Sequence, residues 1–511
     1  MANAFASFFS SVYVASTHVS APPTNAPECS PPLTFELSEV FSKLQTLPSK
    51  ASVTPDNFPP IFFRNLSDVL AEPLAILFTR SLAEREVPNA FREALVTPIH
   101  KKGARKLLNN YRPVAQLSIM CIVMEKIVVD YLVQFLTISG QLDPEQHGFC
   151  KGKSTETQLL EATQDWGLAL ARKRSTHVVY FDFSKAFDKV DHGLLLNKML
   201  TLGIRESVVE WCGSYLTDRC FSVRVQNSSS PFLSCASGVP QGSVLGPILW
   251  SIFILDIKEG LPPAVSYKLY ADDLKIYLEV TDDTSCATLQ AAVNAVQSWA
   301  SENGMLISTE KCAVLKTRPH HFTYTLQGDP LPEVLCMRDL GVMISADLRF
   351  REHVTHVAKA SSVLCNLVLR CFVIQRVEHY VQLYKALVEP KLLYCAPVWS
   401  PSLSGDMMIL ERVRTRYIRL VAYRCGVDRE VISRALTPVT ELHRRADERA
   451  FMRTLRSENR DHFFDVSGNN LRSHYYVRAK AIAPTNIVNN LFSWRVVRKE
   501  RSFILNKAFL N

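Results

Sequence analysis

The sequence predicts an α+β fold, an antiparallel sheet carrying acids with helices packed around it. Three observations predict it. In residues 265–280, VSYKLYADDLKIYLEV, Asp272 and Asp273 stand side by side between two apolar runs. Downstream, Leu274, Ile276 and Leu278 alternate with Lys275, Tyr277 and Glu279, the period-two pattern of a strand with one buried face. Upstream, Tyr267, Leu269 and Ala271 mark a partner strand, so the carboxylates fall at the tip of a tight hairpin. The second observation is residues 177–191, HVVYFDFSKAFDKVD, where the apolar run 178–181 reads as a strand buried on both faces and ends in Asp182. The third is apolar residues at helical spacing through much of the remaining chain.

A buried aspartate at a strand end is costly unless it is paired or bound to a metal. Hairpin and strand side by side bring Asp182, Asp272 and Asp273 together, too close for all three to ionise without a cation. Magnesium, with manganese as a substitute, takes hard oxygen ligands from carboxylates, phosphates and water. Two such ions about 3.5–4 Å apart can activate one oxygen and stabilise a departing one in phosphoryl transfer.

FDFSKAFDKVDH, SGVPQGSVLGPILWSIFILDI and YADD, in that order, resemble the reverse transcriptases of non-LTR (LINE-type) retrotransposons, most like the jockey-type elements. The similarity runs from about Phe35 into the four-hundreds. It implies a right-hand polymerase: fingers over 33–175, palm over 176–345, a helical thumb or connection over 346–460, and a basic tail over 461–511. It implies an RNA template, a DNA primer and deoxynucleoside triphosphates as partners, and assigns Asp182, Asp272 and Asp273 to two metal ions. Phe187, five residues after Asp182, would exclude a 2′-hydroxyl. Gln241 would touch the nucleotide or template base, and Lys311 matches a position that protonates departing pyrophosphate. Arg112 and then Lys102 would clamp triphosphate, Lys151 and Lys153 would follow the template backbone, and Gly341 lies in a turn expected to grip the primer.

The 58 Lys and Arg residues exceed the 49 Asp and Glu by nine, which permits a polyanionic partner. A 47% hydrophobic content argues against wholesale disorder. The 13 cysteines are scattered with no C-x-x-C pair, which argues against zinc ribbons and suits a reducing compartment. The opening lacks the basic n-region of a signal peptide, and no apolar span of about 20 residues appears. An intracellular protein of nucleus or cytoplasm, without membrane contact, is therefore expected; oligomeric state is left open.

In chain order, Phe5, Phe8, Phe9 and Val12 fall at helical spacing, and residues 17–32 read as a linker. Helices are expected over 33–47, 66–81 and 119–136, the last interrupted by Glu125 and Lys126. Thr54 stands where related elements carry glycine, a poor fit if a positive φ is required. Asp191 caps a helix over 193–202, a glycine-proline turn leads into 249–257, and 287–302 is amphipathic. From Phe350 the chain is helical to about Arg460, with 394–399 between helices. Arg412, Arg414, Arg416 and Arg419 spread around a helix expected to contact duplex phosphates. The tail adds Arg478, Lys480, Arg495, Arg498, Lys499 and Arg501.

The leading reading is an RNA-directed DNA polymerase. An RNA-dependent RNA polymerase is disfavoured by Phe187 and YADD. An inactive relic that only binds nucleic acid is disfavoured by the intact acids, although Thr54 and the lack of an endonuclease-like segment favour it. That lack points to the polymerase part of a longer element, or a fragment copied from one.

Overall fold

The strand read from residues 178–182 as buried on both faces lies inside a central sheet whose two faces enter two cores. A computed structural model describes residues 1–13, 30–49, 54–469, 474–479, 491–497 and 503–506. The sheet runs Glu333–Val334, Ala313–Lys316, Ser175–Asp182, Asp273–Val280, Ser266–Tyr270, antiparallel except for the first pair. Val179, Phe181, Leu274 and Ile276 enter the core shared with the helices Ile119–Ile138, Gly246–Ile254 and Asp283–Glu302. Val178, Tyr180 and Tyr277 enter the second core, built with the C-terminal helices.

The strand Asp273–Val280 was expected to bury one face, yet Lys275 and Tyr277 are buried as fully as Leu274 and Ile276. A lysine inside a core needs a counter-charge. Asp339, from the strand Cys336–Asp339, supplies it in a buried ion pair.

A second sheet lies beside the first: Tyr111–Gln116, Glu93–His100 and Cys220–Val225, with two short strands at its edge. The helix Ala2–Ser10 covers it, packing Phe5, Ala6 and Phe9 onto Ala94, Val96, Phe221 and Val223. Most of the expected linker lies outside the described residues.

The helices at 33–47 and 66–81 appear as Leu37–Gln45 and Ser67–Ala83. Asp191 caps the helix His192–Thr201 by accepting from the Leu194 amide at 2.9 Å. Thr54 is under no strain, because the positive φ, 59°, falls at Asn57. Its hydroxyl donates to the Phe58 carbonyl at 2.8 Å, and the Asp56 carboxylate accepts from the Ile119 amide.

From Arg351 to Leu455 the chain is almost entirely helical, the longest members being Arg351–Cys371 and Ser404–Cys425. The expected tail is partly folded: Phe464–Asn469, His474–Ala479 and Phe503–Asn506 form a small sheet. Arg495 pairs with Asp447 and donates to the Pro397 carbonyl, so it serves packing. Lys480, Arg498, Lys499 and Arg501 lie outside the described residues, as does the Arg478 side chain. Among the described residues no helix is long and apolar enough to cross a membrane.

Glu125 does not break its helix; it ties three elements together. Fully buried, it accepts from the Tyr215 hydroxyl at 2.5 Å and from the Val244 and Leu245 amides at 2.7 and 3.3 Å, at the entry to the helix Gly246–Ile254. Burial raises its carboxyl above the ordinary range, and these donors pull it back. Truncation leaves buried donors unpaired, so Glu125→Ala is expected to lower the unfolding free energy by about 3 kcal/mol in urea titration. A loss below about 1 kcal/mol contradicts this role.

Candidate active site

Register brings the acids together. Asp182 closes the strand Ser175–Asp182 directly opposite Asp273, and Tyr270 pairs with Asp273 from the other side, leaving Ala271 and Asp272 as the hairpin turn. That turn needs a positive φ, 57°, at Ala271. Gln146 pays for the strain: its Oε1 accepts from the amides of Ala271 at 2.9 Å and Gly148 at 2.7 Å. A Cβ on Gly148 would stand 2.3 Å from the Ala271 nitrogen, so only glycine lets this segment reach the acid turn.

The electrostatics are those of crowded like charges. Desolvation, followed by the charges of Asp272, Asp339 and Asp182, raises Asp273 to about 7, although its side chain opens to water. Burial and the charge of Asp182 raise Asp272 as well. Asp182 accepts a hydrogen bond from Lys311 Nζ at 2.7 Å. Among the described residues the only three potential ligands with all donor atoms within 4.8 Å are Asp283, Cys286 and His320, beyond the far end of the central strand. The Lys316 charge acting on Cys286 works against a cation there. The acid triad is more open, with Asp182 drawn to Lys311, but its hard oxygens and crowded charge fit divalent cations.

The basic residues sort themselves by position. Arg112 is exposed on the strand Tyr111–Gln116, opposite Ile99, and its charge reaches Asp272. Lys101, which had no assigned role, is exposed yet close to the acids: desolvation and the charges of Arg112 and Lys311 lower its ammonium, while Asp272 and Asp188 pull it up. Lys102, expected as the second clamp after Arg112, is exposed beside it. Lys151 is exposed, whereas Lys153 is half-buried and donates to the Pro144 carbonyl.

Phe187 lies in the 3-10 turn Ala186–Asp188, half-buried and stacked on Trp250 with centroids 5.3 Å apart. Gln241 donates from Nε2 to Asp188 at 2.7 Å. Gly341 has φ 90° in the turn between Cys336–Asp339 and Val342–Ser345, with Tyr394 packed on it and donating to the Leu340 carbonyl at 2.8 Å.

Residues 99–326 match the family model described as reverse transcriptase (RNA-dependent DNA polymerase). These residues are a reverse transcriptase domain. The matched segment contains all three acids together with Arg112, Gln241 and Lys311. The chain is 26% identical over 408 residues to the RNA-directed DNA polymerase from mobile element jockey of Drosophila melanogaster, covering 76% of this chain and 44% of that protein. To the probable RNA-directed DNA polymerase from transposon BS of the same fly it is 29% identical, covering 62% and 36%. A putative 115 kDa protein of a type-1 retrotransposable element, also from that fly, is 27% identical, covering 79% and 39%. The resemblance to non-LTR retrotransposon reverse transcriptases is thus found along most of the chain. The chain spans less than half the length of these relatives.

The arginines of the helix Ser404–Cys425, beyond the reverse transcriptase domain, require a correction. Arg412, Arg416 and Arg419 are exposed at helical spacing and form one stripe. Arg414 faces inward: it donates from Nε and Nη2 to the Leu436 carbonyl at 3.1 and 2.7 Å, from Nη2 to the Ser433 carbonyl at 2.9 Å, and from Nη1 to Glu411 at 2.6 Å. It cannot also contact a phosphate. Arg414→Ala is expected to cost on the order of 2–3 kcal/mol of stability and leave the salt dependence of primer–template binding unchanged. Arg416→Ala should reduce that log–log slope by roughly 0.7–0.9 with little loss of stability. Equal slopes for the two variants contradict the division.

Proposed function

We propose that this chain is an RNA-directed DNA polymerase that joins a deoxynucleotide to a primer 3′-hydroxyl on an RNA template. The observation that carries the reading is the pairing of Asp182 with Asp273 in register, beside the Asp272 turn, inside the reverse transcriptase domain. Two divalent cations, magnesium by preference, would be held by Asp182, Asp272 and Asp273 and supply charge stabilisation for phosphoryl transfer.

The protein side chains do the rest. Arg112 and Lys101 stand within electrostatic reach of Asp272, where cationic groups can hold a triphosphate. Phe187, braced on Trp250, offers a rigid shelf that fits a deoxyribose and collides with a 2′-hydroxyl. Lys311 is a proton donor beside Asp182 and gives its proton to pyrophosphate as the bond to the α-phosphate breaks. The hairpin containing Gly341 supports the primer end, and its Asp339 fixes it to the strand of Asp273 through Lys275. The exposed arginine stripe follows duplex phosphates.

Asp272→Asn keeps the size of the side chain and removes the charge. It is expected to reduce extension of a DNA primer on an RNA template by more than a hundredfold while leaving primer–template affinity within about twofold. Extension at a tenth of the parent rate would contradict the assignment. In the same assay Phe187→Val should admit ribonucleotides; unchanged sugar discrimination makes Phe187 a core residue alone.

A further inference from the structure

The Phe187–Asp188 turn is joined to residues 237–242 by an unusually dense set of contacts. Val239 N donates to the Phe187 carbonyl, Ser237 Oγ to the Asp188 carbonyl, and Gly238 N to the Val190 carbonyl, each at 2.8 Å. A Cβ on Gly238 would lie 2.7 Å from the carbonyl oxygens of Phe187 and Asp188, so only glycine permits this approach. On the other flank Ala115 N donates to the Gln241 carbonyl at 2.8 Å, and Gly242 presses on the Ala115 backbone. The main chain of Gln241 is therefore held by both neighbours.

Its side chain is held by one group. Asp188 is 8% exposed, and its Oδ1 accepts from Gln241 Nε2 at 2.7 Å. An amide has two ends that differ in hydrogen-bonding sense, one carbonyl acceptor and one NH2 donor. A carboxylate acceptor selects the orientation with NH2 toward Asp188 and the carbonyl oxygen turned away. Burial raises the Asp188 carboxyl to about 6, with Gln241, Lys185 and Lys101 pulling it down, so it remains an acceptor at neutral pH.

We propose that Asp188 is a positioning residue for nucleotide selection: it fixes the amide of Gln241 in the one orientation that presents a defined donor–acceptor pattern to the incoming deoxynucleoside triphosphate. The proposal rests on the polymerase reading. It joins the sugar shelf and the Gln241 contact into one unit, because Asp188 follows Phe187 directly in the same turn. Displacement of Asp188 would let the amide rotate without moving the carboxylates that carry the chemistry.

The test is a double-mutant cycle in single-nucleotide incorporation on a primed RNA template, with Asp188→Ala, Gln241→Ala, the double variant and Asp188→Asn. Asp188→Ala is expected to raise the apparent KM for the correct deoxynucleotide about tenfold and to change kcat and primer–template affinity by less than threefold. Asp188→Asn retains an acceptor oxygen of the same reach and should stay within about threefold of the parent KM. Because Asp188 acts through Gln241, the double variant should be no worse than Gln241→Ala alone. If Asp188→Ala does not fold, Asp188→Ser, whose hydroxyl is too short to reach, takes its place. Additive losses in the cycle, or a fall in kcat with KM unchanged, overturn the proposal and leave the polymerase reading standing. A folded parent that extends no primer overturns both.

Discussion

Three carboxylates share the end of one strand and the tip of the adjoining hairpin, and their mutual repulsion is the constraint on which the rest of the site depends. The sheet register forces it, since Asp182 and Asp273 are direct partners and Asp272 is the next residue. Desolvation first, and then the charges of Asp272, Asp339 and Asp182, hold Asp273 at about 7. An acid whose folded pKa is raised binds protons more tightly folded than unfolded. Folded stability therefore falls as pH rises from the ordinary carboxylate range to about 7. Around this point the protein sets cations at graded distances: Lys311 on Asp182, then Lys101 and Arg112 within reach of Asp272. A site that is costly when empty of positive charge is one that gains by binding it.

The surrounding elements are fastened to this point by polar groups buried for that purpose. Gln146 and Gly148 hold the strained turn from one side, and the ion pair of Lys275 with Asp339 ties the hairpin of Gly341 to the strand of Asp273. Tyr394, from the helical region, packs on the same hairpin. Opposite faces of the central sheet enter different cores, so the strands that carry the acids are packed from both sides. Such placement favours geometric definition over stability, because each buried charge pays desolvation that only its partner offsets.

The acids, their strand and their hairpin were legible because carboxylates next to apolar period-two runs are unusual without a partner, and the ordered motifs around them are specific. The helices at 33–47, 66–81, 119–136, 193–202, 249–257 and 287–302 were legible from apolar spacing, with ends displaced by no more than four residues. Less legible was what depends on long-range pairing. Lys275 looked like the solvent face of a strand because its partner, Asp339, is 64 residues away. Arg414 looked like its neighbours because the turn that buries it comes from residues 433–436. Lys101 and Lys102 are adjacent in sequence, and only the fold puts Lys101 in the field of the acids. A signal for Asp188 was present, an acid directly after Phe187, but its meaning required Gln241 beside it.

The proposed polymerase chemistry requires the crowded carboxylates to hold divalent cations in the working complex. The most direct measurement is manganese binding by electron paramagnetic resonance, with the protein on an RNA template, a primer lacking its 3′-hydroxyl and the matching deoxynucleotide. Two manganese ions per chain, magnetically coupled and lost in Asp182→Asn, is the result this account predicts. An ion count unchanged by that substitution would contradict it.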